Sequence, residues 1–341
     1  MSTPPEKHQA AIVPQKGGPF AVVERKTPTP GPKELLVEVR AVAVNPVDHY
    51  QRDYGIFIQQ YPAIVGSDIA GVVVKTGSDV RPDAPKPGAR VAAFSSAFYN
   101  KGNPDYGALQ RYVLVGEDSV AVLPDAVTFV EGSVFPMAAN VTWNGLLWIG
   151  VPREISSAPK NEGVLVWGAS SSMGALAVQA AKLAGYTVYA TASAQHHEYL
   201  QSLGATKVFD YKADDVQSQI VGAAKKDGLK IRLAHLAAGS QQLAVDVVQE
   251  LSGTEKAKLA IAPQVAPDLK VPEGVEIAFV LPPDDPEQRN ERFRWVFGGW
   301  LQEKLATSPH IKVVEGGLEA ANQAMEELKA GVSCTKLVLE L

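Results

Sequence analysis

Apolar and polar residues alternate along residues 35–44, which is the pattern of a strand with one buried face. Turn-forming residues separate this stretch from further short runs that are rich in β-branched residues. The strands predicted for this part of the chain are 35–44, 69–74, 89–94 and 109–115. Their spacing is typical of an antiparallel barrel or sandwich.

The pattern changes after about Val130. An apolar run at 163–167 leads into a turn of small residues and then into a helix. The apolar positions of that helix, at helical spacing, are Met173, Leu176, Ala177, Ala180, Leu183 and Ala184. A strand at 187–192, a helical stretch at 195–203 and a strand at 207–209 continue the series. Alternating strands and helices predict a doubly wound parallel sheet.

The last part of the chain starts with a proline-rich region, 263–286, in which we predict one strand at 275–281. A long amphipathic helix is predicted to follow, through Phe293, Phe297, Trp300, Leu301 and Leu305. A final strand is predicted at 336–341, and it can pair with the first sheet. The expected fold is α/β with two domains, one formed by residues 1–130 with 310–341 and one by residues 131–309.

Composition narrows the class of protein. Apolar residues are 46% and charged residues 20% of the 341, which is enough for large buried cores. The net charge of −5, with no long basic block, argues against a nucleic-acid partner. The single cysteine, Cys334, forbids an internal disulfide and points to a reducing compartment. No run approaches ~18 apolar residues and no signal peptide is readable, so we expect a soluble cytoplasmic protein without a membrane partner.

The turn Gly168–Gly174 directly follows an apolar strand and opens a helix. The N–H groups and the dipole of a helix N-terminus favour an anion such as a dinucleotide pyrophosphate, and small residues let the backbone approach it. The residues predicted to bind the cofactor here are Gly168, Ser170, Ser171, Ser172, Met173 and Gly174. Ser171 stands where glycine is usual, and the alternative interpretation is a tight turn in which a serine is the helix N-cap.

The end of the next strand indicates which nicotinamide cofactor is bound. An acidic residue about 20 positions past the glycines would bind the 2′-hydroxyl of NAD, and none is present. NADPH is therefore favoured, since the strand end offers the hydroxyl of Ser193 and the imidazoles of His196 and His197, and Tyr211 can lie against the adenosine phosphate with Lys212 adding positive charge. Alternatively, His196 and His197 are solvated residues at the start of a helix.

The sequence resembles the medium-chain dehydrogenase/reductase superfamily along nearly its whole length. The stretches that carry the resemblance, in order, are Asn45-Pro46-Val47-Asp48, the run from Pro62 to Gly71, Pro87-Gly88-Ala89-Arg90-Val91 and the Gly168–Gly174 turn. The resemblance implies a GroES-like barrel, a Rossmann domain, a C-terminal return to the barrel and an active site between the domains.

The zinc-binding members of this superfamily have a cysteine where this chain has Val47 or Asp48. They have Gly-His-Glu where it has Gly66-Ser67-Asp68. His49 and Asp68 are too few to hold zinc, so no metal is expected. For Asp68, we favour a hydrogen-bonding role at the edge of the barrel.

Without a metal to stabilise an alkoxide, conjugate reduction fits better than alcohol oxidation. Hydride from NADPH adds to the β-carbon of an α,β-unsaturated carbonyl, the charge delocalises as an enolate, and a proton reaches the α-carbon. More narrowly, Thr191-Ala192-Ser193 and Phe209-Asp210-Tyr211-Lys212 resemble the trans-acting enoyl reductases of fungal polyketide pathways.

That resemblance places Val47, Asp48 and Tyr50 beside the nicotinamide. Tyr50 stands where these reductases often have lysine, and a neutral phenol is a weaker electrostatic partner than an ammonium, so Tyr54 competes as proton donor. Thr142 matches a family position near the nicotinamide and the acyl carbonyl, unless it is the N-cap of the following helix. The predicted catalytic residues are Tyr50 and Thr142, with Asn140 close enough to Thr142 to assist.

Two other functions remain open at this point. One is reduction of a quinone or a free enone by the same hydride chemistry, and the other is a non-catalytic relative that kept the nucleotide-binding fold. The expected partners are a free or carrier-protein-bound enoyl substrate and a polyketide synthase, with the protein a monomer or a homodimer.

Overall fold

The structure of the chain is a computed structural model. It describes residues 3–95, 97–100, 102–153, 161–299 and 310–341. The described residues divide into two compact units, the first made of 3–137, 284–299 and 310–341 and the second of 138–283. Both units contain β-sheet and helices, so the predicted α/β class is confirmed.

The first unit is built on antiparallel sheet. Its strands are β1 (Lys7–Ile12), β2 (Ala21–Lys26), β3 (Glu34–Ala43), β4 (Asp68–Thr76), β5 (Arg90–Phe94), β6 (Tyr112–Gly116), β7 (Val120–Val122), β14 (His310–Val313) and β15 (Thr335–Glu340). β1 and β2 form a two-stranded sheet, and the others form a seven-stranded sheet in the order β14-β15-β3-β4-β5-β7, with β6 paired to β3. This is the GroES-like domain that the sequence predicts.

β3 is the strand on which this sheet is centred, since it pairs with β4, β6 and β15. The predicted strand agrees with it to within a residue at each end. The strict alternation does not hold, because Leu36, on the predicted polar face, is only 1% exposed. The pairing with β4 shifts register between Leu36 and Val37 and again between Val39 and Ala41, and such bulges change the face that a side chain occupies.

The last strand returns to the first sheet, as the sequence suggests. β15 runs antiparallel to β3, with Val338 opposite Ala43, and β14 lies parallel to β15. The helices of this unit are α1 (Pro46–Tyr54), α2 (Phe129–Ser133), α8 (Pro286–Gly299) and α9 (Ala321–Ala330). Because the chain leaves this unit and comes back, strands from early and late in the sequence pair in one sheet.

Helix α8 belongs to the first unit, although the predicted domain boundary at residue 309 would assign it to the second. Its Phe293 ring lies 5.6 Å from the ring of Phe94 on β5, and Phe297 packs against Phe293 at 6.2 Å. The predicted continuation of this helix through Trp300, Leu301 and Leu305 lies outside the described residues.

The second unit contains a parallel sheet. Its strands are β8 (Glu162–Trp167), β9 (Thr187–Thr191), β10 (Lys207–Phe209), β11 (Lys230–Leu236), β12 (Ala257–Ile261) and β13 (Val275–Phe279). They lie in the order β10-β9-β8-β11-β12-β13, all parallel. The direction of winding reverses at β8, as in a dinucleotide-binding sheet, so the predicted Rossmann architecture is confirmed.

Helices accompany these strands. They are α3 (Pro136–Ile149, which begins in the first unit), α4 (Ser172–Leu183), α5 (His197–Ser202), α6 (Val216–Asp227) and α7 (Gln241–Ser252). A core of fully buried aliphatic side chains, including Leu165, Ile220 and Val248, packs the helices against the sheet. Among the helices of the described residues, none has both the length and the apolar character that crossing a bilayer requires.

One polar side chain lies inside this parallel sheet. His235 on β11 is 0% exposed, and neither of its ring nitrogens has a hydrogen-bond partner. Its ring edge faces Gly145 of α3, where a Cβ would lie only 2.7 Å from Nε2. Burial lowers the pKa of His235 from 6.5 to about 4, because an imidazolium would be desolvated there.

This burial predicts an acid-sensitive stability. Below pH 6.5 the unfolded chain takes up a proton at His235, whereas the folded chain does so only near pH 4, so the stability falls as the pH drops through this window. The loss from this group is up to about 1.4 kcal/mol per pH unit. Urea unfolding of His235→Leu and His235→Gln between pH 7 and pH 4 should show a shallower decline than the wild type. An unchanged slope in both variants would mean that His235 does not set the acid sensitivity.

Candidate active site

The turn after β8 is shaped by two glycines. Gly168 has a φ of +74°, and a Cβ on it would lie 2.5 Å from the carbonyl oxygen of Ala238. A Cβ on Gly174 would lie 2.5 Å from the carbonyl oxygen of Gly168, so helix α4 packs directly on the turn. Backbone approach this close is what a dinucleotide turn requires. The residues present therefore fit a nicotinamide dinucleotide.

Ser171 is the N-cap of α4. Its hydroxyl accepts the N–H of Gly174 at 3.1 Å and donates to the carbonyl of Gly168 at 2.9 Å. The N-cap interpretation of this serine is therefore confirmed, and its hydroxyl is engaged within the turn. The next N–H groups, those of Ser172 and Met173, precede the first intrahelical bond, and their partial positive charge is available to an anion.

Strand β9 supplies a bond to the same turn that sequence reasoning missed. The hydroxyl of Thr191, the last residue of β9, accepts the N–H of Gly168 at 3.0 Å. Because Gly168 has left-handed backbone, its N–H needs a partner outside the regular ladder. A hydroxyl residue ending the strand next to β8 is the signal that could have identified it.

Thr142 lies on the other side of the turn. It is 0% exposed in the middle of α3, and its hydroxyl donates to the carbonyl of Met173 at 3.0 Å. The interpretation of Thr142 as a helix N-cap is wrong, since α3 begins at Pro136. Asn140, two residues earlier, accepts a hydrogen bond from the amide of Asn144 at 2.9 Å.

Ser193 and Tyr211 come together, as the prediction of a phosphate site requires. They follow the carboxyl ends of the neighbouring strands β9 and β10, and the Ser193 hydroxyl donates to the Tyr211 hydroxyl at 3.3 Å. Tyr211 is 42% exposed. The Lys212 ammonium lies 5.9 Å from the centre of the Tyr211 ring, so the pair is accessible and a cation is near it.

The two histidines that follow differ in exposure. His196 is 8% exposed, and its Nε2 lies 3.2 Å from the amide nitrogen of Gln195. His197 is half-buried, and its Nε2 donates to the carbonyl of Ala192 at 3.1 Å. The interpretation of both as solvated helix-start residues is therefore wrong for His196. The nearby carboxylate of Asp210 accepts the N–H of Lys212 at 3.0 Å within its own turn.

Helix α1 in the first unit carries Tyr50, the other predicted catalytic residue. Pro46 is its first residue, where a fixed φ and a missing N–H are tolerated. Its buried face holds Asp48, Gln51 and Arg52, whereas Tyr50 is 39% exposed. Val47 is half-buried.

Tyr50 lies in an aromatic row on the exposed side of α1. Its ring centre is 4.1 Å from that of His49 and 6.2 Å from that of Tyr54, which is 57% exposed. These contacts restrict the ring of Tyr50 while leaving its surface accessible.

The start of α1 is fixed by a buried polar cluster, which consists of Asn45, Asp48, Asp68 and Lys336. Asp48 accepts the backbone N–H of Asn45 at 2.8 Å, and Asp68 accepts the amide of Asn45 at 2.9 Å. Lys336 donates to the Asn45 side chain and lies 3.6 Å from the Asp68 carboxylate. The hydrogen-bonding role favoured for Asp68 is therefore confirmed.

The two carboxyls of this cluster differ in their hydrogen bonds. Burial raises the pKa of Asp48 to about 7, opposed by the N–H of Asn45 and aided by the nearby Asp68. Burial also raises the pKa of Asp68, while Lys336, Asn45 and the N–H of Met137 oppose the rise. The Oδ1 atom of Asp48 has no hydrogen-bond partner. Asp68 therefore has an ammonium and two hydrogen-bond donors that oppose its protonation, whereas Asp48 accepts a single hydrogen bond.

Zinc does not fit these residues. In the part of the chain that the structure describes, no three histidine, cysteine, aspartate or glutamate side chains lie close enough to hold a metal ion. Asp68, the residue in the place of a zinc-site glutamate, is paired with the Lys336 ammonium, which would repel a divalent cation.

Cys334 is close in sequence to Lys336 but is not an activated thiol. It has a φ of +49°, and burial raises the pKa of its thiol to about 11, so it is uncharged at neutral pH.

Each of the two units matches a known protein family. The model of the alcohol dehydrogenase GroES-like domain matches residues 31–125, and that of the zinc-binding dehydrogenase matches residues 172–257. A quinone oxidoreductase from Coxiella burnetii superposes with a TM-score of 0.69 at 21% identity, over 98% of this chain and 99% of that one. At that identity the likeness supports the fold alone, which is that of the alcohol dehydrogenase-like oxidoreductases.

Two curated relatives are more similar in sequence. Trans-enoyl reductase tndF of Aspergillus flavipes is 47% identical over 98% of this chain and 99% of its own length. Trans-enoyl reductase tazE of Aspergillus terreus is 48% identical over 82% of this chain and 93% of its own. The chain belongs to the medium-chain dehydrogenase/reductase superfamily, in the group that includes these fungal proteins.

Proposed function

We propose that this chain is an NADPH-dependent, zinc-independent enoyl reductase that reduces the C=C bond of an α,β-unsaturated thioester. Its substrate is bound to a carrier protein of a fungal polyketide synthase, and the enzyme acts in trans. The observation that carries the proposal is the match to trans-enoyl reductase tndF, at 47% identity along nearly the whole of both chains.

The dinucleotide turn supports the cofactor assignment. Gly168 and Gly174 keep side chains away from the backbone, and the N–H groups of Ser172 and Met173 at the start of α4 would hold the pyrophosphate. Thr142 holds the Met173 carbonyl and so keeps this first turn in place. Ser193 and Tyr211 offer hydroxyls, and Lys212 a positive charge, to the 2′-phosphate that distinguishes NADPH from NADH.

The chemistry divides between the cofactor and the chain. Bound NADPH supplies the hydride that adds to the β-carbon of the enoyl group. As that bond forms, the π electrons move to the carbonyl oxygen, and Tyr50 donates a hydrogen bond to the resulting enolate. Protonation of the α-carbon by a side chain or water completes the saturated thioester. A delocalised enolate needs less electrostatic stabilisation than an alkoxide does, which is consistent with a site whose described residues do not fit zinc.

An assay of substrate class tests the proposal. The purified chain should oxidise NADPH with the crotonyl thioester of N-acetylcysteamine, and faster than with p-benzoquinone or a simple enone. Activity should be unchanged after EDTA treatment, because the described residues do not fit zinc. Preferred reduction of the quinone would support the second enzyme class. Binding of NADPH without turnover of any acceptor would support a non-catalytic relative. If the purified protein contains stoichiometric zinc and loses activity when EDTA removes it, the metal-free mechanism is contradicted.

Cofactor preference can be tested at the second strand. Ser193→Ala and Tyr211→Phe should raise the KM for NADPH by about tenfold to a hundredfold, the effect of losing a hydrogen bond to a charged group. The KM for NADH should hardly change, since NADH lacks the 2′-phosphate. Ser202→Ala, which removes an exposed hydroxyl from α5, is the matched control. Equal effects on the two cofactors would contradict the phosphate assignment.

The hydrogen-bond donor can be identified on α1. Tyr50→Phe keeps the ring contacts with His49 and Tyr54 but removes the hydroxyl, so kcat should fall by about tenfold to a hundredfold. Tyr54→Phe should leave kcat near the wild-type value. A selective loss in Tyr54→Phe would assign the role to Tyr54, and wild-type kinetics in both would shift it to Thr142 or water.

A further inference from the structure

Lys336 is a buried ammonium close to the C-terminus. Its residue is 7% exposed, and it donates to the side chain of Asn45, 291 positions earlier in the chain. It also lies 3.6 Å from the carboxylate of Asp68. A buried ammonium is costly unless it is paired and hydrogen-bonded, so these contacts fix where Lys336 can lie.

Asn45 links Lys336 to α1. Its amide nitrogen donates to Asp68 at 2.9 Å and its backbone N–H donates to Asp48 at 2.8 Å, while its side-chain oxygen accepts from Lys336. Asn45 is also the N-cap residue of α1 and is followed by Pro46, whose ring fixes φ. The orientation of Asn45 therefore sets the direction in which α1 begins.

The two carboxylates of the cluster differ in how their charge is compensated. Asp68 accepts hydrogen bonds from Asn45 and from the N–H of Met137 beside the Lys336 ammonium, whereas Asp48 accepts one from Asn45. The ammonium of Lys336 lies beside Asp68, so this buried pair is balanced in charge. Removing Lys336 alone would leave an uncompensated buried charge.

The other end of α1 is held differently. Arg52 pairs with Glu326 of α9 at 2.6 Å, and Asp53 pairs with Lys329 at 3.0 Å. Glu326 and Lys329 have side chains 62% and 48% exposed, whereas those of Arg52 and Asp53 are 6% and 15% exposed, so each pair has one partner in solvent. Since α1 has only nine residues, its conformation depends on tertiary bonds, and in the bonds at its start, among Asn45, Asp68 and Lys336, both partners are buried.

We propose that Lys336 is a positioning residue: bonded to Asn45 and paired with Asp68, it fixes the start of α1 so that the helix presents Tyr50 to the substrate in one orientation. This inference rests on the proposed function for the role of Tyr50. The positioning of α1 itself is independent of the reaction.

The test compares charge loss with bond loss. Lys336→Met with Asp68→Asn removes both charges of the pair, so the double variant should fold, but it lacks the bond to Asn45. We expect kcat to fall by about tenfold to a hundredfold, as for a displaced catalytic group, with the KM for NADPH unchanged. Hydrogen–deuterium exchange should become faster in a peptide spanning residues 45–54 and remain unchanged in one spanning β11. Lys336→Arg, which keeps a buried cation and donors, should recover much of the turnover.

Two further variants complete the comparison. Asn45→Leu removes the linking side chain while Lys336 and Asp68 remain paired, so it should reproduce the loss of kcat and the faster exchange even if the double variant fails to fold. Lys329→Met breaks only the exposed pair at the other end of α1 and should behave like the wild type.

The outcomes separate the two proposals. Wild-type turnover or wild-type exchange of 45–54 in the folded double variant, or in Asn45→Leu, would mean that Lys336 only balances charge, and the positioning role would be overturned. If the wild-type chain reduces no enoyl thioester, the proposed function fails, while the exchange comparison still tests the positioning of α1. An equal loss of kcat in Lys329→Met would also overturn the assignment to Lys336.

Discussion

The close approach of backbone to backbone after β8 is the constraint on which the nucleotide-binding unit depends. The sheet winds outward in both directions from β8, so the carboxyl end of this strand is open to a ligand. At Gly168 and Gly174 a single added carbon would collide with a carbonyl oxygen at 2.5 Å. Thr191, Ser171 and Thr142 then bind the turn from three sides, through a strand, the turn itself and a helix. The turn is thus rigid before any ligand arrives, and its hydroxyls maintain the shape while backbone N–H groups remain for the anion.

The first unit depends on a different constraint, which is that the charged side chains it buries must be paired. Asp68 and Lys336 come from the start of β4 and from the last strand, and they pair only when β15 lies beside β3. Removing one member would leave a desolvated charge, so the cluster couples the closing of the sheet to the start of α1. Asp68 stands where the zinc-binding members have the glutamate of Gly-His-Glu, and here it forms an ion pair with Lys336.

Local sequence pattern was sufficient for much of the fold. The β3, β8, β9 and β10 strands and the turn after β8 follow from apolar runs bounded by small or turn-forming residues, and the pairing of Ser193 with Tyr211 follows from the adjacency of parallel strand ends. The sequence pattern did not predict helix α1, because Pro46, His49 and two exposed tyrosines do not form an apolar stripe. The bond between Asn45 and Lys336 joins residues 291 apart, and no local periodicity encodes it. For Thr142, the choice between N-cap and mid-helix position depended on a helix start at Pro136 that propensity alone does not mark.

Neutral groups carry most of the recognition in the proposed site. Under the proposed function, the hydroxyls of Ser193 and Tyr211 would bind the 2′-phosphate, and because no carboxylate stands there, no like charge would repel it. Tyr50 stands where the fungal enoyl reductases often have lysine, so under the same proposal the stabilisation of an enolate would rely on the geometry of one hydrogen bond more than on net charge. The strength of a hydrogen bond falls steeply with angle, whereas a point charge acts at a distance. Holding the donor in one orientation therefore strengthens its interaction with the enolate more for a neutral hydroxyl than for an ammonium. The rigid anchoring of α1 at its buried end is therefore the structural complement of having tyrosine at this position.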